Sequence, residues 1–556
     1  MTDCLIIGFN DFDFSEHVGI VRSMDEGSGV FRDLKLAYVN VDGKPHRALD
    51  IFGKYYNEGA DGLPLKFSNV DFLLPVITYL GTYLQRRGYS FDFVNLFQNE
   101  KDELRRKLES GSVLSVAITT TFYVSASPVL EIIAFIRKHG PNTKIIIGGP
   151  FISNQEKAMD SAAMQEFYKY LGADIYVISQ EGELALVNIL KELKSGATLD
   201  SVDNIAFAKG DAYQVTAASI ESNSLEDNMP DYSLFPKARY GQFVSTRTAK
   251  SCPFSCAFCG FPQRAGKYKF IEVDEVEKEF DAIKRIGSVD TVTILDDTFN
   301  VPKKRFKEIL RMMIRNNYGF KWNSFFRSDH GDEETIGLMK EAGCEGVFIG
   351  AESVSDVMLE RMNKTSRKKD YVRAVSLLKQ AGIITHVGFI IGFPGETLDT
   401  ARETEDFINE AGSDFFRAQL WYCDPVTPIW QKRSEYKITG SAFNWAHATM
   451  TSKTASDIVE RIFLNAENSI WMPQYGYELW SVFYLQRRLG MTLNEVKTFM
   501  RAFNNVIRQE LRPGEGSAAA RLLLENVRSA VKLESACAPE AEVGASRDDA
   551  GQMFNF

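Results

Sequence analysis

The sequence predicts an α/β protein in three parts: an N-terminal domain on a parallel sheet, a partial (βα)6 barrel, and a C-terminal helical domain. Three observations carry this. Short apolar runs alternate with helix-period segments over the first ~210 residues. The alternation restarts at Gly241 and repeats six times. Past residue 430 the strand signal fades and helical periodicity dominates.

In the first domain, 1–210, apolar runs predict strands at 3–8, 91–96, 113–118, 144–147 and 173–178, and helices at 72–87 and 128–138. Strands separated by helices make a parallel sheet covered on both faces. Residues 211–239 are polar, rich in Asp, Asn and Ser, with two prolines, and read as a linker. The barrel, 240–430, has predicted strands at 243–248, 291–296, 323–328, 346–353, 386–393 and 415–422. Helices are expected at 273–286, 303–316, 333–342, 369–381 and 400–411, several stopping at an Ala-Gly or Ile-Gly pair. Six strands are too few to close an eight-stranded barrel, so an open one is expected. The third domain, 431–532, has helical patterns at 455–464, 477–489 and 493–511. The small, polar stretch 533–556 reads as a disordered tail.

A net charge of −10 leaves no electrostatic footprint for nucleic acid or an anionic membrane. The N-terminus has no signal-peptide pattern, and no apolar run approaches the ~20 residues that cross a bilayer, so a cytoplasmic location is expected. Neither a Gly-x-Gly-x-x-Gly nor a Gly-x4-Gly-Lys-Ser/Thr pattern occurs, which removes support for nicotinamide or nucleotide-hydrolase chemistry.

Seven cysteines occur, and three of them, Cys252, Cys256 and Cys259, fall within eight residues as Cys-x3-Cys-x2-Cys. Thiolates this close converge on one soft metal centre: zinc, copper or iron–sulfur. Structural zinc needs a fourth ligand, and no Cys or His follows within ~70 residues. Three thiolates suit a four-iron cluster with one open iron. The triplet follows the first barrel strand, in the loop at the C-terminal mouth where barrel active sites form.

With Phe258 before its last cysteine, this triplet resembles the signature of the radical S-adenosylmethionine (SAM) superfamily. The resemblance implies that Cys252, Cys256 and Cys259 hold a 4Fe–4S cluster whose open iron chelates SAM. Reductive cleavage of SAM then yields a 5′-deoxyadenosyl radical. It places Phe258 near the adenine, Arg327 by the SAM carboxylate and Glu352 by its ammonium or ribose. Gly350 and Gly392 are expected to let backbone approach the cofactor. Pro425 and Thr427-Pro428, after the sixth strand, also resemble this group.

A Rossmann-like domain ahead of such a barrel is similar to the cobalamin-dependent class. The matching segments hold Thr119, Thr120 and Thr121, then Gly148, Gly149 and Pro150, then Glu181 and Gly182. The resemblance implies that these loops bind cobalamin. The Asp-x-His-x-x-Gly pattern that supplies an axial histidine is absent, as in many enzymes of the class, and none of the six histidines replaces it. The implied reaction is methylation of an unactivated carbon, or a phosphinate phosphorus, through methylcobalamin. The implied setting is secondary-metabolite (antibiotic) biosynthesis. The start of the chain and residues 443–450 are similar to phosphinothricin-pathway P-methyltransferases, with aminocoumarin pyrrole C-methyltransferases a second subgroup. Implied partners are a small-molecule substrate, free or carrier-bound, and an electron donor such as flavodoxin or ferredoxin. Trp445 and His447 are candidate pocket residues, set against a packed helix start. Four alternatives stay open: a cobalamin-dependent rearrangement, cyclisation or oxidation; a radical SAM enzyme without cobalamin; a methylthiotransferase; and a cluster- or zinc-binding module.

Overall fold

The structure is a computed structural model that describes residues 1–58, 64–68, 70–123, 125–179, 181–473, 475, 478–512 and 517–532. The expected tail, 533–556, lies outside them.

Two seven-stranded sheets organise the chain. The first holds β1 (Thr2–Phe9), β2 (Phe91–Leu96), β3 (Val113–Thr119), β4 (Lys144–Gly148), β5 (Ile175–Val177), β6 (Ile205–Lys209) and β7 (Ala212–Val215), in the order β2-β1-β3-β4-β5-β6-β7. The first five run parallel, and β6 and β7 add an antiparallel edge. On β1, Cys4 and Ile6 face one apolar cluster while Leu5 and Ile7 face another. Both faces are therefore covered, which is why these strands read as continuous apolar runs. β7 lies inside the stretch read as a linker. Its pairing with β6 extends the sheet to Val215.

The second sheet holds β8 (Phe243–Thr246), β9 (Thr291–Ile294), β10 (Lys321–Phe325), β11 (Cys344–Glu352), β12 (Ile384–Ile391), β13 (Phe415–Leu420) and β14 (Ile470–Trp471), paired in that order and parallel throughout. The helices Val273–Ile286 and Lys303–Asn316 keep the bounds the periodicity predicts. The first stops at Gly287, whose φ of +87° closes the helix in the left-handed region. The six expected strands are present, and β14 is a seventh, from the region expected to be helical.

That region also forms a three-stranded antiparallel sheet, 439–441, 444–447 and 450–451, before the helices Ser452–Asn465, Leu479–Leu489, Leu493–Leu511 and Ser517–Lys532. The helices Phe14–Met24, Gly29–Lys35 and Ala48–Tyr56 follow β1. They tie the two ends of the chain together: Arg32 pairs with Asp457 and Glu460, and Trp471 donates its indole N–H to the Leu36 carbonyl at 3.2 Å. Among the described residues no helix is long and apolar enough to cross a membrane.

Candidate active site

The site begins where β8 ends. Asp296, just past β9, accepts backbone N–H bonds from Thr248 (2.6 Å) and Ala249 (2.9 Å). Arg305 donates to the carbonyls of Thr248 (3.2 Å) and Ile271 (2.9 Å). This clamp aims the chain into the cysteine loop. Ser251 takes a φ of +67°, and its hydroxyl donates to the Gly266 carbonyl at 2.7 Å. The loop is fixed on two further sides. Ala257 N–H donates to the Met362 carbonyl (2.8 Å), Ile429 N–H donates to the Ala257 carbonyl (2.9 Å), and the Asn363 amide reaches the Ser255 carbonyl (2.9 Å). The loop is thereby held between the segments that follow β11 and β13.

Cys252, Cys256 and Cys259 are free thiols on this loop, Cys256 buried and the other two half-buried. Their charges act on one another. Burial is the main cause that pushes the Cys259 thiol up to about 11, with the other two cysteines and Glu352 adding to it. Bare thiolates are thus disfavoured here, and a bound metal centre is what would draw off their protons. Among the described residues no three His, Cys, Asp or Glu side chains gather closely enough to hold a single metal ion.

The residues expected around SAM fall into two groups. Glu352 sits at the end of β11 with a φ of +64°, its carboxyl raised by burial and facing the Lys364 ammonium at 3.6 Å. Lys364 is buried, donates to the Gly350 carbonyl, and lies 5.8 Å from the centre of the Phe258 ring. Arg327 lies over the Phe254 ring at 3.6 Å and donates to Asp329 (3.1 Å) and Thr365 (2.7 Å). Its backbone is clamped by Asn300, which accepts from its N–H (3.0 Å) and donates to its carbonyl (2.9 Å). The Arg327 guanidinium is thus already engaged by Asp329, whose carboxyl it helps hold down near 2. Phe258, Glu352, Gly350 and Arg327 share one wall of the mouth.

Gly392 belongs elsewhere. A Cβ there would come within 2.4 Å of the Trp445 ring and 2.8 Å of Ala455 Cβ. Its carbonyl lies 3.0 Å from His447 Nε2. Trp445 is buried, stacks on His447 at 5.1 Å and donates its indole N–H to the Trp421 carbonyl at 2.8 Å. The missing side chain at Gly392 therefore makes room for the Trp445 ring. Trp445 and His447 are packed residues on a strand, not at a helix start.

The C-terminal ends of the first sheet face this mouth. Phe122, 49% exposed, follows β3, and Leu295 and Phe325, 40% and 41% exposed, end β9 and β10. Thr121 and Phe122 line a cavity of about 260 Å³ with Tyr79, Ser245, Arg247 and Leu295. Apolar side chains left open at facing strand ends mark a ligand space. Thr119 and Thr120 are buried, and their hydroxyls donate to the carbonyls of Gly8 (2.7 Å) and Gly148 (2.8 Å). Of the three threonines, Thr121 is the exposed one. Gly149, with a φ of +109°, turns the chain beside Thr120 into the helix that opens at Pro150. Glu181 pairs with Lys250, two residues before Cys252, and accepts from Asn223 N–H at 3.2 Å. It joins the sheet to the cysteine loop. Gly182 packs against Val177.

In the order β2-β1-β3 the crevice for a ligand lies between β1 and β3. Here it is filled. Asn10 N–H donates to the Tyr123 hydroxyl (2.7 Å), the Asn10 amide donates to the Pro128 carbonyl (2.9 Å), and Phe9 stacks on Tyr123 at 5.6 Å. Thr121 and Phe122 are exposed at the end of β3. Lys364, Asn363 and Lys250 were not legible as site residues. Each lies in a polar stretch without a motif and gains meaning only from the loop it meets.

The model of the radical SAM superfamily matches residues 247–408. An uncharacterized methyltransferase of Pyrococcus horikoshii is 26% identical over 347 residues, covering 61% of this chain and 72% of that protein. The anaerobic magnesium-protoporphyrin IX monomethyl ester cyclase of Rubrivivax gelatinosus is 24% identical over 381 residues, covering 64% of this chain and 65% of that enzyme. The structure of the radical SAM methyltransferase TsrM from Kitasatospora setae, with cobalamin and a 4Fe–4S cluster bound, matches with a TM-score of 0.55 at 17% identity, over 82% of this chain and 96% of TsrM. A domain of this superfamily implies a 4Fe–4S cluster and SAM, and the cysteine loop carries three thiols of the kind such a cluster binds. The chain therefore carries a radical SAM domain at residues 247–408, set against a second α/β domain in the fold seen in TsrM.

Proposed function

We propose that this enzyme methylates an unactivated position of a small molecule, using cobalamin bound over the ends of the first sheet. The observation that carries the reading is the face-to-face placement of the two sheets' C-terminal ends. Phe122 on one side and Leu295 on the other border a shared apolar space at the end of β8. Cobalamin, when bound, supplies a methyl group to a carbon or phosphinate centre from which the SAM-derived radical has taken hydrogen.

The chain's own residues do the placing. Asp296 and Arg305 set the direction of the cysteine loop. Glu352 and Lys364 put one negative and one positive charge beside it, matched to the ammonium and carboxylate of SAM. Glu181 and Lys250 hold the sheet against the loop. Tyr79, Leu80, Met229 and Leu295 make an apolar lining that excludes water from a radical. An electron donor of the flavodoxin or ferredoxin type, and a role in secondary metabolism, follow from the same reading.

The test is anaerobic turnover of the reconstituted enzyme with SAM, cobalamin and a strong reductant. Methylation predicts S-adenosylhomocysteine and 5′-deoxyadenosine together. The cyclase relative favours a second reading, ring closure or oxidation, in which 5′-deoxyadenosine forms without S-adenosylhomocysteine.

A further inference from the structure

Inside the barrel, one layer below the mouth, lies a group of charged side chains that neither the cluster nor SAM uses. Arg417 is the middle of β13. Its neighbour Phe416 packs on Trp471 at 5.6 Å, on the outer face with Phe463, so Arg417 points the other way, into the barrel. Register places it beside Gly388, and Gly388 beside Gly350. Among the described residues no hydrogen bond or ion pair reaches its guanidinium.

Three groups from distant parts of the chain surround it. Asp33 comes from the N-terminal helix Gly29–Lys35, Glu478 opens the C-terminal helix Leu479–Leu489, and Tyr475 precedes it. The charges of Asp33 and Glu478 act on Arg417 without closing on it as ion pairs. Burial pushes the Asp33 carboxyl up to about 6, with Arg417 pulling the other way. Below them His386, 5% exposed on β12, has no partner for either ring nitrogen and meets Phe348 edge-on at 4.8 Å. Phe325 meets Phe348 at 5.3 Å and continues toward the mouth. Glu478, Gln419 and Phe325 keep exposed surface, so solvent reaches side chains of this part of the barrel.

A guanidinium and two carboxylates that make no ion pair with one another, and an imidazole with both ring nitrogens buried and unpartnered, are gathered here from both ends of the chain. A ligand bearing the complementary charges would meet them in place of water. One cation beside two anions matches a carboxylate and an ammonium on one small molecule, and the aromatic wall matches an apolar body above that head.

We propose that this space is the substrate pocket and that it takes a free amino acid, with Arg417 holding the carboxylate, Asp33 and Glu478 holding the ammonium, and the side chain running along Phe348 and Phe325 to the mouth. The proposal rests on the reading of the chain as an enzyme acting on small molecules, and deepens it.

The test screens the twenty protein amino acids by ligand-observed NMR against the reconstituted full-length chain. The best binder is then compared with its analogues lacking the amine or the carboxylate. At least one amino acid binds, and each analogue binds roughly tenfold or more weakly. Arg417→Gln removes the preference for the carboxylate and leaves the amine analogue's affinity unchanged. Asp33→Asn weakens only ligands that carry the amine, and stands alone as a test if the Arg417 variant does not fold. No binding by any amino acid, or binding indifferent to both substitutions, overturns the proposal. Iron content and SAM cleavage without substrate are read in parallel. A chain with iron and cleavage but no amino-acid binding sinks this inference alone, whereas loss of both sinks the parent reading.

Discussion

Replacing Gly392 with Ala separates a packing role from a cofactor role at a position where the signature suggested the latter. The substitution puts a side chain at a φ of +91°, which costs on the order of 1–3 kcal/mol. The new Cβ would lie 2.4 Å from the Trp445 ring and 2.8 Å from Ala455 Cβ, both parts of buried residues with little room to move. Overpacking of this kind adds ~1–3 kcal/mol. The sum, ~2–6 kcal/mol, is a large share of an ordinary domain's stability. The assay is urea unfolding of the metal-free chain, followed by tryptophan fluorescence, since Trp421 and Trp445 lie at the perturbed contact. A clearly lower midpoint without any cofactor present is expected. An unchanged midpoint, with loss confined to SAM affinity, would refute the reasoning.

Three further predictions concern charge. Burial raises the Glu396 carboxyl from 4.5 to about 8, so the folded chain keeps a proton that the unfolded chain gives up between those values. Stability therefore falls as pH rises through that window, by ~1.4 kcal/mol per unit, and Glu396→Gln should flatten the loss in urea titrations at pH 6 and 9. Glu181→Ala leaves Lys250 without its partner across the two domains. It should cost ~1–2 kcal/mol, given that both groups are partly solvated, and speed proteolysis between the domains while leaving far-UV circular dichroism unchanged. Lys364→Met leaves the buried Glu352 carboxylate uncompensated beside the cysteines and should cost ~3 kcal/mol. SAM affinity, measured by equilibrium dialysis, should fall in the same variant.

What the sequence reveals and what it hides follow from the range of the forces involved. The amphipathic helices Val273–Ile286 and Lys303–Asn316 are legible to the residue because both their stripe and their stop signals are local. Ile470–Trp471 is two residues long and becomes a strand only by pairing with Phe415 and Phe416, so no period announces it. The short antiparallel strands around Trp445 are likewise held by contacts to Trp421 and Gly392 rather than by their own propensity. β7 reads as linker because an edge strand with one exposed side carries little apolar signal. The cysteine loop was legible because three thiols in eight residues have few other uses. Glu181 was visible as a charge after a strand, but its partner lies 69 residues further on, across a domain boundary. Arg417 stands in an apolar strand, Phe415–Leu420, where alternation alone cannot say which face looks inward.

The most direct test of the whole account is metal content after anaerobic reconstitution with iron, sulfide and hydroxocobalamin, in the wild type and in a Cys252→Ala, Cys256→Ala, Cys259→Ala triple variant. The account predicts about four irons and about one cobalt per wild-type chain, with the iron lost and the cobalt kept in the variant, since the two groups sit on different domains. Iron without cobalt would contradict the placement of cobalamin at the facing sheet ends, and iron retained by the triple variant would contradict the cysteine loop as the cluster site.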